Sequence, residues 1–168
     1  MIFVRNAGLV LMAPFLPMFF NRLEMVETRD GVVGWKDAAT AARAPHLLQW
    51  LVNGGGSVPE HEMALNKVLS GLAVTTPLDA ENELTEQERA LGGELLHAML
   101  AHWAVIAGSS VEALRETFLQ REGKLEAESD RWKLTVQRKT VDVLVDQVPW
   151  SFSMVRLPWM GLPLDVSW

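Results

Sequence analysis

The periodicity of apolar positions changes from helical to strand-like along this chain, and the change falls near residue 120. From Leu114 onward the segment LRETFLQREGKLEAESDRWKLTVQRKTVDVLVDQVPWSFSMVRLPWMGLPLDVSW reads as a helix end, a β-hairpin, a further element and a paired tail. Trp132, Leu134 and Val136 alternate with Lys133, Thr135 and Gln137, and Leu125 and Ala127 with Glu126 and Glu128. That is a β-hairpin turning at Ser129-Asp130. The tail repeats the pattern with Val155 and Leu157, a turn over Pro158 to Pro163, and Leu164, Val166 and Trp168. A sheet with one apolar face needs a cover, and the upstream residues are its source.

Upstream, spacings of three and four dominate. Ala7 to Phe20 is a 14-residue apolar run that superficially imitates a signal peptide. It is too short to span a bilayer, which takes about 20 residues. It also carries Pro14 and Pro17, and no small-x-small cleavage site follows closely. A buried helical hairpin or kinked helix is the expectation, its second piece starting near Pro14 and ending near Met25, with Phe15, Phe19 and Leu23 on one face. Thr28 to Lys36 reads as a connector. Asp37 caps a helix from Ala38 to about Asn53, where Pro45 threatens a break and Gly54-Gly55-Gly56-Ser57 is a stop. That glycine run is not a phosphate loop, since no Gly-Lys-Ser or Gly-Lys-Thr follows and no strand precedes it.

Pro59 to Leu72 reads as a third helix with Met63, Leu65, Val68, Leu69 and Leu72 apolar. Asn66 between them either bonds a neighbouring backbone or faces water. An acidic loop, Thr75 to Leu84, leads to a capping box at Thr85 and Glu88. The helix it opens is expected to reach Ile106, with Leu91, Leu95 and Met99 beside a row of Leu96, Leu100 and Trp103. Ser109 and Glu112 suggest a second box. It opens a shorter helix with Leu114, Phe118 and Leu119 inward and Arg115, Gln120 and Arg121 available for contacts. The expected fold is α+β, one globular domain over 1–168: helices to 120, packed on a small, mostly antiparallel, tryptophan-rich sheet from 121.

Composition narrows the function. The chain has 168 residues, 49% hydrophobic and 21% charged, as in a globular protein. A net charge of −6 argues against nonspecific nucleic-acid binding. With no cysteine there is no disulfide and no thiolate metal site. His97 and His102 are five apart, the wrong spacing for a helical zinc pair, and no His-Glu-x-x-His occurs with His46 or His61. No serine sits in a Gly-x-Ser-x-Gly elbow. Asp142 and Asp146 fit the solvated side of an amphipathic helix better than an acid–base pair. No cofactor and no membrane contact is expected. The basic residues Arg115, Arg121, Lys124, Arg131, Lys133, Arg138, Lys139 and Arg156 gather in the last third, either as a scattered solvated face or as a docking surface for an acidic protein.

Several blocks, taken in order, resemble one family. They are NAGLVLMAPFLPMFFNRL at 6–23, HLLQWLV at 46–52, PEHEMALNKVLSGL at 59–72, LTEQER at 84–89, LRETFLQREGKL at 114–125, and QRKTVDVLVDQVPWSFSMVRLPWM with the closing LDVSW. The chain resembles the tape measure proteins of bacterial contractile injection systems, the phage-tail-like syringes, over nearly its whole length. Ser70 and Gly92-Gly93 depart from that pattern. The resemblance implies a non-enzymatic assembly protein, either the C-terminal part of a ruler that sets inner-tube length or a short version of one. It further implies residence in the bacterial cytoplasm during assembly and then in the particle, and inner tube, hub or baseplate proteins as partners, with self-association open. A single helix of 168 residues would span about 250 Å, which a compact domain cannot. The expected role is therefore a terminal anchor docking through Arg115, Arg121, Arg138, Lys139, Trp150, Arg156, Trp159 and Trp168. A cap or baseplate adaptor is the alternative, and a small enzyme with a Trp-lined pocket a more distant one.

Overall fold

The computed structural model describes residues 1–56, 58–79 and 83–168. Its architecture is α+β. Among the described residues the main sheet has five strands in the order β1-β4-β5-β7-β6: β1 (Ile2–Val4), β4 (Gly123–Ala127), β5 (Trp132–Val136), β7 (Leu164–Ser167) and β6 (Met154–Val155). All neighbours are antiparallel except β5 and β7. Register places Ile2, Leu125, Leu134 and Val166 in one row across the sheet. Leu125, Leu134, Leu164 and Val166 are buried, while Lys124, Glu126 and Thr135 between them are exposed. The alternation of period two thus yields one core face and one wet face.

The expected hairpin at 125–136 is present with that register. The sheet is not confined to the last third, however, because β1 extends its edge from the opposite end of the chain. Three residues are too few to show alternation, so this strand had no sequence signature. A second hairpin, β2 (Val26–Arg29) with β3 (Val32–Trp35), replaces the expected connector at 28–36. Asp30 and Gly31 have φ of +52° and +77°, the two positive values a type I′ hairpin turn requires.

The apolar run at the start is a 3-10 helix over Ala7–Phe15 followed by α1 (Leu16–Arg22). The second piece therefore begins two residues later than Pro14 and stops before Met25. Pro17 lies in its first turn, where a missing N–H costs nothing. Ala7 to Ala13 is buried throughout. Gly8 presses on the chain near Phe118, such that a Cβ on it would lie 1.9 Å from the Phe118 carbonyl oxygen.

α2 (Ala38–Asn53) starts at Asp37, whose side chain accepts from the Thr40 N–H, and ends at Gly54. Pro45 does not break it. The expected third helix divides into a 3-10 turn, Glu60–Glu62, and α3 (Ala64–Leu69), because Met63 leaves helical geometry. Of the acidic loop, residues 80–82 lie outside the described residues, as does Ser57 of the glycine run. α4 (Glu86–His102) carries the full Thr85–Glu88 box, and Arg43 of α2 donates to Glu88 at 2.8 Å. It ends four residues before Ile106, since Trp103 turns out of the helix into a separate 3-10 turn. The cap of α5 (Val111–Leu114) is Ser110, which accepts from Ala113, and not the expected Ser109 with Glu112. α5 continues as a π-helical turn over Arg115–Leu119. One apolar cluster joins these layers, from Leu9 and Leu16 through Leu48 and Met99 to Leu125 and Leu164. Each fully buried side chain of this size contributes about 2 kcal/mol.

Candidate docking surface

Three of the expected docking residues are tryptophans, and the structure turns them inward. Trp150 donates its indole N–H to the Leu11 carbonyl at 2.8 Å and meets Phe15 edge-on at 5.1 Å. Trp159 donates to the Leu69 carbonyl at 2.7 Å, beside Trp35, which donates to the Ser70 carbonyl at 2.8 Å. These two indoles cap the C-terminal end of α3, where carbonyls lack intrahelical partners. Phe20 completes the cluster at 4.9 Å from Trp35 and 5.6 Å from Trp159. Trp103, wholly buried, donates to the Leu144 carbonyl at 3.0 Å. Trp150 and Trp159 therefore attach the last third to the helices, each by a half-buried ring packed on the core and an N–H on a backbone carbonyl.

Arg121, expected at the surface, is buried. Its guanidinium forms a bidentate pair with Asp142, and both side chains are 0% exposed. It also donates to the carbonyls of Gln137 at 3.0 Å and Thr117 at 2.7 Å, and Nε has no partner among the described residues. Trp168 donates to Asp142 Oδ2 at 2.9 Å, and its ring lies under the Arg121 guanidinium at 5.4 Å. The Lys139 backbone N–H reaches the same oxygen at 2.8 Å. Asp142 is thus not on the solvated side of an amphipathic helix; it belongs to a 3-10 turn, Thr140–Val143, followed by another over Val145–Gln147. Burial by itself raises the carboxyl's pKa. The hydrogen bonds from Arg121, Trp168 and Lys139, with the Arg121 charge, outweigh it and hold the group below the ordinary carboxylate range. A carboxylate so held is a poor proton shuttle.

Arg115 is half-buried against Trp50, 5.0 Å from the ring centre, and donates to the Leu51 carbonyl at 3.0 Å. Gln120 donates to Val52 O at 3.0 Å, so both close the C-terminal end of α2. Burial lowers the Arg115 pKa. Arg138 is exposed but bidentate on Asp146. Lys139 and Arg156 are exposed, Arg156 reaching the Gly161 carbonyl at 3.4 Å. Of the eight expected residues, then, Arg138, Lys139 and Arg156 present charge to solvent.

Clefts among the described residues include a smaller and a larger one. The smaller, about 390 Å³, is lined by Arg5, Asn6, Gln49, Asn53, Val58, Glu62, Gln120 and Glu122. The larger is lined by residues that include His46, Trp50, Val58, Met63, Asp79 and Glu83. Trp50 lines the larger cleft, and neither cleft is lined by Arg115, Arg121, Asp142 or Arg156. The polar cleft had no motif in the sequence, because its residues come from four separate stretches. Among the described residues no three His, Cys, Asp or Glu side chains gather as a metal site, and no helix is long and apolar enough to cross a membrane.

A family model described as contractile injection system tape measure protein matches residues 1–168, the whole chain. No curated protein and no solved structure matches.

Proposed function

Since the chain belongs to the contractile injection system tape measure family, we propose that it acts as a docking domain anchoring the tape measure at one end of the inner tube. The compactness of the fold carries this reading. The longest helix among the described residues, α4 with 17 residues, spans about 25 Å. A body closed on its own core in this way is suited to gripping a neighbour and unsuited to measuring a tube.

The proposed grip uses Arg138, Lys139 and Arg156, the exposed basic side chains among the eight residues expected to dock, against an acidic surface of a tube, hub or baseplate protein. The tryptophans contribute by holding that third rigid, which lowers the ordering cost of binding. Deleting residues 1–168 from the intact particle should change tube length or sharply reduce particle yield. Tubes of unchanged length in normal number would end the anchor reading. The double change Lys139→Glu with Arg156→Glu, both exposed, should lower incorporation of the protein into particles while leaving its thermal unfolding unaltered.

A further inference from the structure

The smaller cleft has walls unlike those of most small-molecule sites, which are largely apolar. Seven of its eight lining residues are polar or charged: Arg5, Asn6, Gln49, Asn53, Glu62, Gln120 and Glu122 beside Val58. Its floor is fixed from below. Asn6, 3% exposed, donates through Nδ2 to Gln49 Oε1 at 3.0 Å and to Asn66 Oδ1 at 2.6 Å. Asn66, fully buried, in turn donates to the Pro45 carbonyl at 2.9 Å and to Gln49 Oε1 at 3.1 Å. The side chain of Asn66 thus bonds a neighbouring backbone, one of the two readings its sequence position left open. Gln49 Oε1, which takes both of these donors, and the Asn6 carboxamide are held in place before any ligand arrives.

Two features point to the chemistry of an occupant. Asn6 Oδ1 is buried and receives no hydrogen bond from the described residues, a costly state for an acceptor. The charged side chains, Arg5 against Glu62 and Glu122, leave one net negative charge on the lining. An unused acceptor and net negative charge call for a cation rich in donors. A guanidinium, planar with five N–H groups, matches several carbonyl and carboxylate oxygens at once better than an ammonium does. The chain's own Arg5 illustrates the match in weak form. Its guanidinium rests 3.6 Å from Glu62 Oε1 at the rim, while its side chain stays 80% exposed.

We propose that this cleft is a receptor for an arginine side chain presented by a neighbouring protein of the particle. That the arginine comes from such a neighbour rests on the docking reading above; the affinity of the cleft for guanidinium does not. The surface is separate from the basic residues of the C-terminal third and opposite to them in charge. Arg5 competes weakly for Glu62 and repels the incoming cation.

The test titrates the 15N-labelled full chain with N-acetyl-arginine methylamide, using N-acetyl-norleucine methylamide as the neutral probe of similar length. The side-chain amide signals of Asn6, Gln49 and Gln120 should shift saturably with the arginine probe alone, less so at high salt. Glu122→Gln, at an exposed position, should weaken binding about five-fold, and Arg5→Gln should tighten it by a similar factor. Equal shifts with both probes, no saturable shift, or affinity indifferent to both substitutions would overturn the proposal. Because these variants leave Asn6, Gln49 and Asn66 in place, the buried network and the fold stay intact. Arginine binding alongside unchanged tube length after deletion would retain the cleft and discard the anchor, so the two failures are distinct.

Discussion

Arg121–Asp142 and Arg138–Asp146 use the same two side-chain types, their aspartates four residues apart, and sit in opposite environments. The first pair is 0% exposed and tied to Trp168, Lys139, Thr117 and Gln137; the second is 45% and 57% exposed. Exposed pairs are screened by water and salt and contribute little. A buried pair costs much to desolvate, so its removal as a unit is often tolerated, whereas removal of one partner strands a charge. The difference teaches that burial, and not charge pattern, decides which basic residues of the last third hold the fold and which are available to a partner.

The largest effect should come from Asp142→Ala, which leaves Arg121 buried without its counter-ion. A loss of about 3–5 kcal/mol in urea unfolding is expected, a large share of the stability of an ordinary domain. The companion double variant Arg121→Met with Asp142→Leu should recover most of that loss. If the single change costs no more than the double, the pair is not the closed ionic unit described here.

The same carboxylate gives the contrast a pH dependence. Its folded pKa lies below the ordinary 3.8, so its stabilising contribution is complete above that value and is lost as pH falls through the folded pKa. Wild-type stability should therefore decline on the acid side more steeply than that of Asp142→Asn. The variant's acid limb should be shallower without being flat. Glu88 is also lowered: its burial opposes this, but the hydrogen bonds from Arg43 and Thr85 prevail. Identical acid limbs in the two proteins would assign the whole dependence to other carboxylates.

Next in size is Trp168→Phe. It keeps an aromatic ring near Arg121 and removes the indole N–H that reaches Asp142 Oδ2. Loss of a hydrogen bond to a charged acceptor should cost about 1.5–3 kcal/mol in the same unfolding measurement. A change within error would mean that Arg121 and Lys139 suffice to hold the carboxylate.

Which parts of this arrangement could be read beforehand follows the range of the forces involved. The Asp37 cap, the Thr85–Glu88 box, the stop at Gly54 and the alternation from Leu125 to Val136 are set by neighbours a few residues apart, and each was legible. The tape measure resemblance was legible too, through the order of its blocks. Strand β1 was not, because Ile2–Val4 becomes a strand only by pairing with Gly123–Leu125. The β2–β3 hairpin did carry a signal, Asp30-Gly31 between Val26–Arg29 and Val32–Trp35, that deserved more weight than the reading as a connector gave it. The inward turn of Trp150, Trp159 and Trp168 had no local mark, since Leu11, Leu69 and Asp142 accept their N–H groups from distant or unpatterned positions. Arg121 looked like its exposed neighbours for the same reason. The polar cleft joins Asn6 to Asn66 across 60 residues, beyond any spacing rule.

The smallest expected effect is that of Asp146→Ala, and it bears most directly on docking. The pair it breaks is exposed on both sides, so the urea midpoint should not move beyond measurement error. What changes is Arg138, which loses its bidentate partner and is left with the backbone oxygens of Asp142 and Trp168 at 3.5 Å. If Arg138, Lys139 and Arg156 meet an acidic surface in the particle, freeing Arg138 should leave incorporation unchanged or raise it, and Arg138→Glu should lower it. A drop in incorporation with Asp146→Ala at unaltered stability would mean that the partner reads the carboxylate and not the guanidinium. The complementary surface would then have to be basic, as the arginine-accepting cleft already requires of its own partner.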